Sequence, residues 1–386
     1  MQVNWYAILG IILVEAFFVS LILTAVARRF ALRWNILDAP GERKIHDTPT
    51  PLLGGVSIYL SFIAVIVVNY FLLLSAGDLG LEWIETHVRT FLGNEATRLL
   101  AGVFIGSLAV VALGVMDDLN TLTPERKLVG QILIGILTVI AGIRLDFFIE
   151  NFIQAIPVLD ALSAETRNVL TLGLSSALTV FWIVLMMNAM NFMDNMDGLC
   201  GGISIIAAAS FFLCVLPRQE FFVCALLVVF AGSVAGFLMH NLNPAKIFMG
   251  DAGSMFCGYI LATVAVLGTF YTVEGSSRIA VAAPLLALCV PLFDISSVIV
   301  IRWRHGESIM KGDKRHFSHR LVELGMSPGQ AVGFICLLAG IAGLGSALLS
   351  QVGTSGTLVL IGQTVGVFLL IVLMMRVGRN QNGDPR

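Results

Sequence analysis

The sequence predicts an all-α, polytopic integral membrane protein of about 11 transmembrane helices, forming one membrane-embedded domain over 1–386. Three observations carry that prediction. Of the 386 residues, 57% are hydrophobic and only 12% charged, whereas soluble domains carry about 25% charged residues. The mean hydropathy is +0.91. The apolar residues also come in runs of roughly 17 to 23, the length a helix needs to cross a ~30 Å hydrocarbon core, and not as the alternating ~10-residue strands of a barrel.

The first run, 5–27, is too long for the apolar part of a signal peptide, has no basic residue ahead of it and lacks a small-residue cleavage pattern, so it is expected to remain as a helix. Further spans are expected at 52–74, 98–116, 127–143, 169–187, 199–216, 221–240, 253–271, 279–301, 329–349 and 356–376. Cys200, Cys214, Cys224, Cys257, Cys289 and Cys336 lie in or beside these runs without CxxC spacing, as small apolar residues do. LGGVSI at 53–58 and CGGISI at 200–205 match too briefly to establish a repeat.

The loops divide the polar chemistry unequally. Loops that follow odd-numbered spans, with the C-terminal tail, hold 17 of the 23 Lys and Arg residues. Because basic residues are retained inside, that side is predicted to face the cytoplasm, with the N-terminus outside and the C-terminus inside the plasma (inner) membrane. The same side carries RWNILDAPGERKIHDTPTPLLGG, VMDDLN, NAMNFMDNMDGL, NPAKIFMGDAGS and RHGESIMKGDKRHFSHRL. A net charge of −2 gives no reason to expect a nucleic-acid partner.

Asp117 and Asp118 end the third span, and adjacent residues on a helix point about 100° apart, so the pair suits two roles better than one clamp. In NAMNFMDNMDGL, each three-residue step turns about 300°, which sets Asn188 and Asp197 about 180° apart. One straight helix cannot aim Asn188, Asn191, Asp194 and Asp197 at a single ligand, so Gly198 is expected to mark a break. Any of these residues alone is explained as a helix cap. Five aspartates on one side (Asp117, Asp118, Asp194, Asp197, Asp251) ask for more, because clustered acids repel. A hard divalent cation relieves that repulsion, and Mg²⁺ with waters and substrate phosphates is the usual occupant, Mn²⁺ being the alternative.

GDAGS at 250–254 opens the eighth span, where free N–H groups favour anions, and reads with Lys246 as a diphosphate and metal site. His316 and His319 share a helix face at i,i+3 and can donate to phosphate oxygens. The neighbouring lysines obey the positive-inside bias or touch lipid headgroups. His87 and His240 are read as incidental. Glu15 and Asp294 fall inside spans, where ionisable groups are costly; Asp294 is expected to pair with a polar group or the basic loop, and Glu15 has no evident role.

These residues together resemble the polyprenyl-phosphate N-acetylhexosamine-1-phosphate transferases of glycosyltransferase family 4. The likeness runs in order through DAPGERKIHDTPTPLLGG, Asp117-Asp118, NAMNFMDNMDG, FMGDAGS and the histidine loop. It implies Asp117, Asp118 and Asp251 as the catalytic group, with Asp251 and Asp118 serving the metal. It implies substrate binding by Lys44, Asn188, Asn191, Asp194, Asp197, Phe248, His316 and His319, with Phe248 against the nucleobase. The implied reaction is attack by a polyprenyl phosphate on a UDP-sugar, releasing UMP, and a homodimer is a further expected assembly. PTPLLGG and HFSH look more like the N-acetylglucosamine 1-phosphate branch than the phospho-N-acetylmuramoyl-pentapeptide transferases, which typically show PTMGG and three histidines. A transporter would place carboxylates near the midplane rather than at one interface. A CDP-alcohol phosphotransferase shares the start of DNMDG, but Leu199-Cys200 follows where Ala-Arg is expected.

Overall fold

The computed structural model describes residues 4–38, 49–75, 94–145, 149, 152–153, 156–160, 162–268, 282–308, 315–349 and 351–381. Lys44 and His87 lie outside the described residues. The chain is an all-α, multi-pass membrane protein. Besides single helical turns at Pro157–Asp160 and Leu216–Arg218, its helices among the described residues are, in order, α1 (Trp5–Arg33), α2 (Gly54–Leu74), α3 (Asn94–Asn120), α4 (Pro124–Ile140), α5 (Ala164–Met193), α6 (Leu199–Val215), α7 (Phe221–Asn241), α8 (Gly250–Leu267), α9 (Ala283–Ala287), α10 (Cys289–Arg304), α11 (Phe317–Glu323), α12 (Pro328–Leu348) and α13 (Thr354–Gln381). A minimal antiparallel pair, β1 (Leu37–Asp38) with β2 (Thr50–Pro51), sets Leu37 opposite Pro51 and Asp38 opposite Thr50.

Among the described residues, 9 helices are long and apolar enough to cross a membrane. The expected spans at 127–143 and 279–301 form shorter helices. α4 has 17 residues. The expected run at 279–301 divides at Leu288 into α9 and α10. Pro291 has no N–H to give the carbonyl of Ala287, so a continuous helix would lose its bond there. The break expected in the polar stretch is at Gly198, whose φ of +77° favours a residue without a Cβ.

α8 is the centre of the bundle, with 78% of its apolar window buried against 6% for α13. It packs against α2, α3 and α5. Small residues let those backbones approach: a Cβ added at Gly114 of α3 would lie 2.2 Å from Ala252 Cα, and one at Gly258 of α8 would lie 2.4 Å from the Met186 carbonyl of α5. Glu15 of α1 accepts a 2.7 Å hydrogen bond from Asn69 Nδ2 of α2, which gives this intramembrane carboxylate a partner.

Two distant polar motifs are stitched together by their main chains. Phe248 N–H donates to the Pro51 carbonyl at 2.8 Å, Gly54 N–H to the Phe248 carbonyl at 3.0 Å, and Gly55 N–H to the Met249 carbonyl at 2.9 Å. The PTPLLGG segment thus fixes the backbone that leads into α8.

Candidate active site

α3 delivers Asp117 and Asp118 in its last turn, and their side chains diverge as the helical geometry requires. Asp117 is buried; its Oδ1 accepts from Leu122 N–H at 2.7 Å, and its Oδ2 lies 2.9 Å from Lys127 Nζ. Asp118 turns to the start of α8, where Oδ1 accepts from Asp251 N–H at 2.8 Å and Oδ2 from Ala252 N–H at 3.2 Å. Those donors have no partner within their own helix, so Asp118 caps α8 from another element. Gly250 makes room for this: its φ is +69°, and a Cβ there would stand 2.7 Å from an Asp118 oxygen.

Lys127 occupies the middle of the cluster. It sits in the first turn of α4, which Thr123 caps by accepting from Arg126 N–H. Its Nζ lies 2.5 Å from Asp251 Oδ2, 2.9 Å from Asp117 Oδ2 and 3.3 Å from Asn191 Oδ1. Asn191 Nδ2 in turn donates to Asp251 Oδ1 at 2.6 Å and to Ser254 Oγ at 2.9 Å. Asp251 is therefore held by a cation on one oxygen and an amide on the other.

The four polar residues at three-residue intervals in the 188–197 stretch go to different places. Asn188 pairs with the buried Gln131 of α4, donating to its Oε1 at 2.7 Å. Asn191 joins Asp251. Asp194 follows the last residue of α5, and burial, with Asp251, Asp118 and Asp197 nearby, pushes its carboxyl up to about 8. Asp197 instead organises the chain after α7, accepting at 3.0 Å from both Asn243 Nδ2 and Ala245 N–H. Phe248 is half-buried, with its backbone tied to the PTPLLGG segment.

The histidine loop docks on the same stretch from the other side. His316 packs edge-to-face on Phe192, with ring centroids 4.9 Å apart, and its Nδ1 lies 2.8 Å from Asp294 Oδ2. His319 is further out, its ring centroid 6.2 Å from that of His316. Ser318 Oγ donates to Asn195 Oδ1 at 2.5 Å. Asp294 thus finds its partner in the basic loop.

Lys127 and Gln131 are the members of this cluster that sequence reading passed over, Lys127 being counted only toward the loop charge. A signal existed: the two sit at i,i+4, so a span that is otherwise apolar carries a polar stripe on one face. Among the described residues, no group of three or more His, Cys, Asp and Glu side chains could hold a metal by itself. Two carboxylates nevertheless converge on one cation, the Lys127 ammonium, and every other donor around it is an oxygen or an amide. That donor set suits Mg²⁺, which takes one or two carboxylates and completes its shell with water and substrate phosphate.

A family model described as glycosyl transferase family 4 matches residues 100–269. Over 94% of its length the chain aligns with the probable undecaprenyl-phosphate N-acetylglucosaminyl 1-phosphate transferase of Bacillus subtilis, at 30% identity across 366 residues and 90% of that protein. The chain belongs to glycosyl transferase family 4. A second relative in this family, the decaprenyl-phosphate N-acetylglucosaminephosphotransferase of Mycolicibacterium smegmatis, is 30% identical over 97% of the chain and 90% of its own length. The phospho-N-acetylmuramoyl-pentapeptide-transferase of Listeria welshimeri is 32% identical over only 46% of the chain and 55% of its own length. The segment matched by the glycosyl transferase family 4 model contains all the carboxylates around Lys127 and stops short of the histidine loop.

Proposed function

We propose that the protein transfers N-acetylglucosamine 1-phosphate from UDP-N-acetylglucosamine to a polyprenyl phosphate at the cytoplasmic face of the plasma membrane, releasing UMP. The observation that carries this reading is the convergence of Asp117, Asp251, Asn191 and Lys127 at the start of α8, in a chain similar almost end to end to N-acetylglucosamine 1-phosphate transferases. The excess of Lys and Arg on one side supports the cytoplasmic orientation.

In the reaction an oxygen of the lipid phosphate forms a bond to the β-phosphorus of the UDP-sugar. The bond from that phosphorus to the bridging oxygen breaks, and its electron pair leaves with UMP. A phosphate monoester has a second pKa of about 6, so the attacking oxygen is mostly ionised at neutral pH and needs little help from a base. Asp251 would hold Mg²⁺ together with Asp117, whose oxygen already converges with it on a cation, rather than with the expected Asp118, whose two oxygens are both taken by backbone N–H groups of α8. Bound there, Mg²⁺ would neutralise the diphosphate and the charge that develops on it. Asp118 keeps Asp251 in place through the first turn of α8. Lys127 supplies a second positive charge beside the phosphates, Asn191, itself bonded to Ser254, orients Asp251, and Phe248 meets the uracil.

Purified protein incubated with polyprenyl phosphate, Mg²⁺ and a panel of labelled UDP-sugars tests this. Lipid-linked product and UMP are expected from UDP-N-acetylglucosamine or a close UDP-N-acetylhexosamine. Preferential use of UDP-N-acetylmuramoyl-pentapeptide would overturn the sugar assignment, and the absence of any transfer would overturn the reaction.

A further inference from the structure

Asp294 lies on α10 with none of its surface exposed, and the carboxylate cluster around Lys127 does not use it. Its two oxygens have separate tasks: Oδ2 meets His316 Nδ1 at 2.8 Å, and Oδ1 accepts from Phe317 N–H at 2.5 Å. An ionised carboxylate only accepts, so the ring nitrogen facing it carries the proton whether the imidazole is neutral or cationic. Nε2 is then the nitrogen offered elsewhere. The ring is steadied by its edge-to-face contact with Phe192, which stands between Asn191 and Asp194 in the chain. α11 as a whole is fastened to both neighbours: Arg320 Nη2 donates to Ser297 Oγ of α10 at 2.7 Å, and Ser318 Oγ donates to Asn195 on the polar stretch.

We propose that Asp294 is a positioning residue, which fixes the tautomer and the aim of His316 so that Nε2, left as the accepting nitrogen, meets a hydroxyl group of the substrate over the 191–194 segment. This rests on the transferase reading, since only that reading makes His316 a substrate contact. A peg that merely docked α11 would need the Phe317 bond alone. The second oxygen, spent on an imidazole packed against Phe192 of the polar stretch, is what the positioning role adds. The arrangement repeats a general device in which a buried carboxylate selects the tautomer of a functional histidine.

Asp294→Asn tests it while keeping the shape of the side chain. Asparagine has an accepting oxygen at only one of the two positions, so in the same rotamer it serves either Phe317 N–H or Nδ1–H and not both. If it keeps the backbone bond, its NH₂ faces the ring and forces the proton to Nε2. In full-length protein reconstituted in lipid nanodiscs, Asp294→Asn is expected to lower kcat/KM on the order of 10- to 100-fold, as loss of a carboxylate behind a functional histidine does. Added to His316→Ala, it should cost nothing more, because the two act through one group. A full repeat of the loss in the His316→Ala background, or wild-type activity in Asp294→Asn alone, would overturn the positioning role. Nitrogen-15 NMR of histidine-labelled protein supplies a readout independent of turnover, with the His316 signal identified by its absence in His316→Ala. The Nδ1–H form is expected in the wild type and its loss in Asp294→Asn, and an unchanged ring signal would overturn the clamp. A wild-type protein that forms no lipid product overturns the transferase reading and with it the substrate contact of His316, which the NMR result separates from failure of the clamp itself.

Discussion

Asp118 and Asp294 stand at two helix junctions and invite comparison. Each carboxylate reaches out of its own helix to hold the beginning of another, Asp118 at α8 and Asp294 at α11. They differ in the second bond. Asp118 gives both oxygens to backbone N–H groups, so its work is to hold a main chain, and the functional side chain it serves, Asp251, follows from that. Asp294 divides its oxygens between a backbone and a ring, so it orients a side chain directly. The first junction lies on the most buried helix of the bundle, the second on a short helix of 7 residues. A rigid element can be positioned by its backbone alone. A short one needs the side chain addressed as well.

The largest expected effect concerns the cation site that the first junction supports. Chelation of Mg²⁺ with EDTA should abolish turnover, and Asp251→Asn should cut it on the order of 10²–10³-fold, the scale for losing a principal electrostatic contact. Full activity in EDTA would remove the reason for treating the α8 junction as the catalytic one.

Asp118→Asn sharpens the contrast with Asp294→Asn. It leaves one of two N–H donors at the head of α8 facing an NH₂ group, so the cap is broken. A loss of about 1 kcal/mol of stability is expected together with lower turnover. Thermal unfolding in detergent reads the first and product formation the second. Should Asp118→Asn unfold at the wild-type temperature, the capping account of this junction would be wrong.

Packing offers a test of rigidity itself. Gly114→Ala would bring a methyl within 2.2 Å of the α8 backbone, and overpacking of this kind costs about 1–3 kcal/mol. A lower unfolding temperature with a raised KM is expected, and an unaffected protein would show that α3 yields easily. The smallest effect belongs to Asp197→Ala, which releases Asn243 and Ala245 at the rim and should change kcat/KM by no more than about tenfold, the two hydrogen bonds at this rim being worth about 0.5 kcal/mol each. Cysteines placed beside Asp117, Asp194 and His316 should all label from the cytoplasmic side, and labelling of any from outside would separate the two regions altogether.

Both junctions were only partly legible in the sequence. Nearly all the helices follow from apolar runs, because in lipid a backbone has few ways to satisfy its hydrogen bonds. The proline that divides 279–301 was visible too, but a window average hides a single missing N–H. The acids were conspicuous against an apolar background, and the turn at Gly198 follows from helical geometry. What periodicity could not reveal is which acid serves which neighbour: Asp118 and Asp117 are adjacent in the chain yet point to different helices. Lys127 was hidden for the opposite reason, since a lysine in a loop-proximal turn is expected on charge bias alone.

The stitch between the PTPLLGG segment and the approach to α8 has a consequence for how this protein can vary. Its three bonds run between main-chain atoms, so they are indifferent to the side chain at Leu52 and strict about the number of residues, whereas Leu53, at a φ of +88°, sits where a β-branched side chain would strain the backbone. Replacing Leu52 leaves the ladder of donors and acceptors in place. Deleting one residue there shifts every donor past its acceptor and carries Phe248 and the head of α8 out of register with α3. An insertion or deletion between Pro51 and Gly54 is therefore felt at the far end of the stitch, where a substitution at Leu52 is not.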